Sequence, residues 1–351
     1  MHEPHRFIRC SLTSLLFVAV LFPARTLLAQ DAVTIVGSGS NLPRPLYEAW
    51  TSAFNLRDPK VQAKYLPIGT VESIKQISNG SGDFGGGEVQ LSGEEFAATR
   101  TKLLALPVAL VAVVPIYNLP GETRGLRFSG PLLADIYLGK VRNWNDPEIA
   151  NLNPGVKLPS LNIEVFHRAE GKGSNYILTD YLSKVSAAFR QHIGKSASPK
   201  WVLGRSAMRN EDMAEQVART PGAIGYVELN YAAKDVSVGT VENAAGRWLK
   251  ASKEGVESAC SAVLRAGMPN LQASLTNAPG ENSYPIASFT FIYLRRDMSD
   301  RVRTLAVASF VDFVLGDGQA IAESKNYAKL PEPVLQKVRM KAHALINGTE
   351  D

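Results

Sequence analysis

The 351-residue sequence is short of three things: cysteine, charge of one sign, and long apolar runs. Its two cysteines, Cys10 and Cys260, cannot supply a disulfide framework, so stability must come from the size of the core. Lys and Arg number 38 against 33 Asp and Glu, a formal charge of +5 with no run of five like charges, which excludes an electrostatic footprint for nucleic acid. Five histidines, His2, His5, His167, His192 and His343, show no ligand spacing and form no His-Cys cluster, so a zinc enzyme is excluded too. What is present is an ordinary globular composition, 45% hydrophobic and 20% charged with 28 Gly and 20 Pro. The length corresponds to about two domains.

The N-terminus has the organisation of an export signal. His5, Arg6 and Arg9 precede the apolar run 15–22, and small residues such as Ala29 follow at cleavage distance. The run falls well short of the ~20 residues needed to span a bilayer. Residues 1–29 are therefore expected to be a cleaved signal peptide, and the mature protein to be free in the periplasm and not membrane-embedded. Phe7-Ile8-Arg9 before Cys10 is not the small apolar triplet of a lipoprotein anchor. Loss of residues 1–29 removes Arg6, Arg9, Arg25 and Glu3, lowers the charge to +3, and leaves Cys260 as a lone thiol.

Along the mature chain, short apolar strands alternate with amphipathic helices, the pattern of an α/β fold. Residues 33–36 read as a strand and 45–54 as a helix with Leu46, Ala49, Trp50 and Phe54 on one face. The β-rich run 104–117 recurs in character at 286–294, the runs 104–117 and 283–294 are the expected crossings between two domains, and helices at 301–315 and 332–346 close the chain. Three loops, 37–42, 69–73 and 171–175, place Gly with hydroxyl or amide residues where a helix should begin, next to Arg168 in the last case. Unpaired N–H groups and the helix dipole favour anions at such positions. Gly37-Ser38-Gly39 opens a dinucleotide pattern, but Leu42 occupies its third glycine position. Gly171-Lys172-Gly173-Ser174 lacks the upstream Gly and the Lys-Ser/Thr junction of a P-loop.

Asp135-Ile136-Tyr137-Leu138-Gly139-Lys140, Trp144-Asn145-Asp146, Leu152-Asn153-Pro154-Gly155, Arg168-Ala169-Glu170-Gly171 and Pro221-Gly222-Ala223-Ile224-Gly225-Tyr226-Val227-Glu228 resemble the periplasmic phosphate-binding proteins of phosphate ABC importers. Residues 37–45, Ile74-Lys75-Gln76-Ile77, Asp83-Phe84-Gly85 and Tyr327-Ala328-Lys329-Leu330-Pro331 extend the similarity over the mature chain. The resemblance implies a two-lobed α/β periplasmic binding protein fold with a hinge and an interlobe cleft. Lobe one would hold residues 30–107 and 283–351, and lobe two residues 108–282. It further implies a monomer without cofactor or catalysis, which closes over inorganic phosphate and delivers it to permease subunits.

Carried over position by position, the ligand set is Asn41, Leu42, Thr70, Glu88, Arg168, Lys172, Gly173 and Ser174. Asn41 and Leu42 stand where the family has Thr and Phe, Thr70 where it has Ser, and Glu88 where it has Asp. Lys172 replaces a Ser and Ser174 a Thr, while Glu170 replaces the Asp that orients the arginine. Tyr137, Trp144 and Tyr226 are expected to pack rather than touch the anion. Lys172 adds a charge that needs a partner, and pairing with Glu88 across the closed site is the expected arrangement. Arg209 is a candidate for a second cation beside Arg168. The alternatives are a same-fold carrier of another oxyanion or organic phosphate, a phosphate sensor, and, remotely, a Ser174-Lys172 hydrolase.

Overall fold

The alternating pattern resolves into twelve strands and twelve helices among the described residues of a computed structural model, which describes residues 1–2, 32–91, 97–100, 102–121, 123–232, 234–268 and 271–348. Apart from its first two residues, the expected signal peptide lies outside the described residues, and Cys10 with it. Residues Ala32–Asp351 form one unit by contact, separate from Met1–Asp31, and only this larger unit is described below.

In chain order the elements are β1 (Val33–Gly39), α1 (Arg44–Arg57), β2 (Val61–Leu66), α2 (Thr70–Ser78), β3 (Phe84–Gly87), α3 (Ala97–Arg100), β4 (Leu103–Tyr117), β5 (Arg127–Phe128), α4 (Gly130–Tyr137), α5 (Pro147–Leu152), β6 (Glu164–Arg168) and α6 (Gly173–Val185). Then follow α7 (Ala187–His192), β7 (Arg205–Ala207), α8 (Asn210–Arg219), β8 (Ala223–Glu228), β9 (Ser237–Val238), β10 (Thr240–Glu242), β11 (Trp248–Leu249), α9 (Lys253–Arg265), β12 (Ala287–Arg295), α10 (Arg301–Leu315), α11 (Gly318–Ser324) and α12 (Glu332–Asn347).

The main sheet runs β2-β1-β3-β12-β4-β8-β6-β7, with β9 also on β4. Its two ends, β2-β1-β3 and β8-β6-β7, are parallel. Between them lies the antiparallel pair β12 and β4. All fifteen residues of β4 are buried, as its near-continuous apolar sequence requires of a strand covered on both faces. Residues 103–112 of β4 pair with β12, and residues 113–117 pair with β8. One strand thus serves both halves of the sheet and changes partner between Ala112 and Val113. Proline inside a central strand would leave the ladder short of a donor. At Pro107 a bulge absorbs this: the register shifts between Thr290 and Phe291, and the bulged residue Val108 gives its carbonyl to Gln319 Nε2 at 2.9 Å.

Strand β1 extends three residues beyond the expected 33–36, so Gly37 and Gly39 belong to a strand and not to a helix-leading loop. The reason is close packing: a Cβ on Gly37 would meet the Phe84 ring, and one on Gly39 would lie 2.8 Å from the Gly86 carbonyl carbon. Helix α1 buries Leu46, Trp50 and Phe54 as read, but Tyr47 joins them in place of Ala49, stacked on Tyr65 with ring centroids 4.4 Å apart. Helix α10 has the bounds read from the sequence. No single helix among the described residues is long and apolar enough to cross a membrane. Tyr137, Trp144 and Tyr226 are buried, and Trp144 Nε1 donates to Gly222 O at 2.8 Å.

Candidate anion site between two helix N-termini

The starts of α2 and α6 meet. Gly69 precedes α2 with φ of 112°, a conformation that glycine alone adopts without strain. Its N–H donates to Gly39 O at 2.7 Å, and Val71 N donates to Gly171 O at 3.2 Å, which ties the two helix starts together. A Cβ on Gly69 would sit 3.0 Å from Lys172 Nζ. A Cβ on Gly173, the first residue of α6, would collide with Glu88 Oε2 and lie 2.8 Å from Glu88 Cδ and 3.0 Å from Thr70 Oγ1. Neither helix has a side-chain cap at its N-terminus, so the positive ends of both dipoles meet where the two starts are joined.

Arg168 ends β6 and is 1% exposed. Tyr226 locks its backbone: the hydroxyl accepts from Arg168 N at 2.9 Å and donates to Asn175 Oδ1. The guanidinium donates to Ala207 O (Nε, 3.3 Å), Met208 O (Nη2, 2.8 Å), Asn210 Oδ1 (Nη1, 2.7 Å) and Ser174 Oγ (Nη1, 3.3 Å). All four acceptors are uncharged. Burial pushes the Arg168 pKa down, as it does for a charge taken out of water without a counterion. Lys172 keeps 9% of its surface, and its pKa is lowered first by burial and then by the neighbouring Arg168.

Glu88 follows β3 and is fully buried. Thr70 Oγ1 donates to Oε2 at 3.2 Å and Thr290 Oγ1 to Oε1 at 3.3 Å. Burial raises the carboxyl pKa to about 7, opposed by the hydroxyls of Ser40, Thr70 and Thr290. Glu228, at the end of β8, is raised to about 8, again first by burial, with Glu88 adding to the shift.

The structure brings Thr70, Glu88 and Gly173 into direct contact, and Arg168 onto Ser174. Asn41 is buried, and its carbonyl accepts from Asn210 Nδ2 at 3.4 Å and from the Tyr231 hydroxyl at 3.1 Å. Leu42 is buried beside it with its N–H turned to Ser40 Oγ at 3.0 Å. Three expectations are corrected. No ion pair joins Lys172 to Glu88 among the described residues, because the lysine side chain runs to Gly69 while the carboxylate turns to Thr70 and Thr290. Glu170 is exposed and makes none of the bonds that orient Arg168. Arg209 is no second cation at the site: its exposed side chain pairs with Asp212 at 2.7 Å, just before α8. Asn210, Thr290 and Ser40 were not foreseen. An Asn heading a helix reads as a capping residue, and nothing in its neighbours points to the arginine 42 positions earlier.

Residues 26–317 match a family model described as the PBP superfamily domain. The phosphate-binding protein PstS of Pasteurella multocida is 35% identical over 326 residues, covering 92% of this chain and 94% of the relative. A solved phosphate-binding protein from Stenotrophomonas maltophilia superposes with a TM-score of 0.65 at 16% identity, covering 88% of this chain and 94% of that one. An ABC-type phosphate transport receptor from Vibrio cholerae superposes with a TM-score of 0.59 at 14% identity, over 85% of this chain and 100% of that one. At such identities the structural likeness speaks for the fold.

Proposed function

The chain belongs to the phosphate-binding protein family of the PBP superfamily, and from that premise we propose that it is a periplasmic carrier that takes inorganic phosphate between two lobes and presents it to the permease of an ABC importer. The observation that carries the reading is a buried guanidinium and a buried ammonium, Arg168 and Lys172, facing the joined starts of α2 and α6 with no carboxylate paired to either among the described residues. Uncompensated buried cations at uncapped helix N-termini are stabilised by a bound anion. The lobes are taken as residues 30–107 with 283–351, and 108–282, a division supported by the change of partner along β4. Within the ligand set, Thr70 supplies a hydroxyl, Gly173 and Ser174 backbone donors, Arg168 a charged donor, and Glu88 an acceptor for a ligand proton. We take Ser174 as a ligand contact and not a nucleophile; its hydroxyl accepts from Arg168 at 3.3 Å.

Calorimetric titration of anion-stripped protein with phosphate, arsenate, sulfate and a phosphonate tests the proposal. Phosphate is expected to bind at one site per chain and more tightly than sulfate; a folded protein that takes up no phosphate overturns it. The uncommitted ammonium of Lys172 favours a second reading, in which an organic phosphate or another oxyanion is the better ligand, and the other arms of the titration decide it. Turnover of a chromogenic phosphate monoester would contradict both.

A further inference from the structure

The bonds around Arg168 show a division of labour that the family resemblance does not contain. Its expected orienting carboxylate, Glu170, stands in solvent, and the shortest bond to the guanidinium comes instead from the amide of Asn210, 2.7 Å from Nη1. Asn210 is the first residue of α8 and is fully buried. The same Oδ1 accepts from Glu228 N at 3.4 Å, and Nδ2 donates to Asn41 O at 3.4 Å. Those two bonds sit at the long end of the hydrogen-bond range, so the bond to Arg168 is the one that counts.

We propose that Asn210 is a positioning residue that fixes the Arg168 guanidinium while leaving its charge unspent. A carboxylate at this place would aim the guanidinium equally well, through a stronger, charge-assisted bond. It would also neutralise the cation and set a negative charge beside an incoming anion. An amide keeps the geometry and withholds the charge. The other three acceptors, Ala207 O, Met208 O and Ser174 Oγ, are neutral as well, so the whole cage follows one rule. The inference rests on the carrier reading above and adds to it the means by which the site keeps a full positive charge for its ligand.

The test is Asn210→Asp, which preserves shape and the bond to Arg168, with Asn210→Ala and Asn210→Ser beside it. Each is titrated calorimetrically with whichever of phosphate, arsenate and sulfate the native protein binds most tightly, and melted thermally to confirm folding. Asn210→Asp is expected to melt at or above the native temperature and yet to bind at least about a hundredfold more weakly. Asn210→Ala, which loosens the guanidinium without neutralising it, loses less, about tenfold. Asn210→Ser, with a neutral acceptor, stays within about tenfold of native. A merely structural role would leave affinity intact in the well-folded Asp variant, and that result overturns the inference while leaving the carrier reading standing. An Ala variant that binds no better than the Asp variant overturns it as well. If Asn210→Asp does not fold, loss beyond about tenfold in a folded Ser variant overturns it. Failure of the native protein to bind any of the three anions removes the carrier reading and this inference together.

Discussion

Residue by residue, the site combines two buried cations with a carboxyl poised to lose its proton. Arg168→Ala removes the buried guanidinium, four of whose five N–H groups bond within the protein and hold its charge in place. A charge-assisted bond lost from a dry site costs on the order of 2–5 kcal/mol, so phosphate affinity is expected to fall at least tenfold while the far-UV spectrum and melting stay native. Unchanged affinity in the folded variant would contradict the assignment. Glu88 makes a prediction about stability. Its folded pKa, about 7, lies above the ordinary carboxyl value of 4.5, so the native state holds a proton that the unfolded chain releases. Its contribution is fully present below about pH 4.5 and is lost as the pH rises through 7, on the order of 3 kcal/mol for a shift of this size. Glu88→Gln should therefore flatten the fall in melting temperature of the anion-free protein between pH 5 and pH 8. Glu228, raised to about 8, keeps a slope of its own in that variant. Identical pH profiles for native and variant would show that Glu88 is ionised in the folded state. The eight proposed ligand positions come from the family resemblance, carried over one motif position at a time. Asn210 was not legible in this way, since its role exists only once α8 is laid beside β6.

At the scale of elements, sequence patterning served best where burial was total or periodicity strong. The run that became β4 is apolar at nearly every position, α10 is buried over most of its circumference, and α12 repeats its apolar residues at helical spacing. It served worst at Gly37 and Gly39, because glycine reads as a loop residue and only the opposing Phe84 and Gly86 explain its place in a strand. Pro107 would likewise have argued against a central strand had the bulge at Val108 not been formed. The start of α6 gives the clearest element-level prediction. Glu88 Cδ and Thr70 Oγ1 lie so near Gly173 that a methyl group there must push the helix start away from α2 or force the buried carboxylate to move. Gly173→Ala should weaken phosphate binding at least tenfold, about 1.4 kcal/mol, more by misplacing backbone donors than by unfolding the chain. Native affinity in this variant would mean that α6 does not present its N-terminus to the ligand.

For residues 32–348 as a whole, the question is whether the two halves of the sheet move. They are joined by β4 and β12, and β4 passes from one set of partners to the other within a single peptide step at Ala112 and Val113. Away from that strand the halves are held by separable bonds, among them Val71 N to Gly171 O at 3.2 Å, the Tyr231 hydroxyl and Asn210 Nδ2 to Asn41 O at 3.1 and 3.4 Å, Leu91 N to Gln272 Oε1 at 2.8 Å, Lys195 Nζ to Gln90 Oε1 at 3.4 Å, the Tyr327 hydroxyl to Glu228 Oε2 at 3.4 Å, and the Arg44–Glu211 ion pair at 3.7 Å. Such contacts contribute about 0.5–1.5 kcal/mol each, more where a charge takes part, since opening returns their groups to water. Arg168 and Lys172 both lie in the half 108–282, whereas Thr70 and Glu88 lie in the other, so an anion held at the two cations gains its remaining contacts only when the halves close. A ligand shifts a two-state equilibrium by its difference in affinity for the two states, so phosphate should favour the closed form strongly. Small-angle scattering of the anion-free protein should give a larger radius of gyration than the phosphate-saturated protein, with the difference diminished in Arg168→Ala at the same phosphate concentration. Superimposable curves at saturation would show a rigid cleft, and the bonds across it would then be permanent parts of the fold.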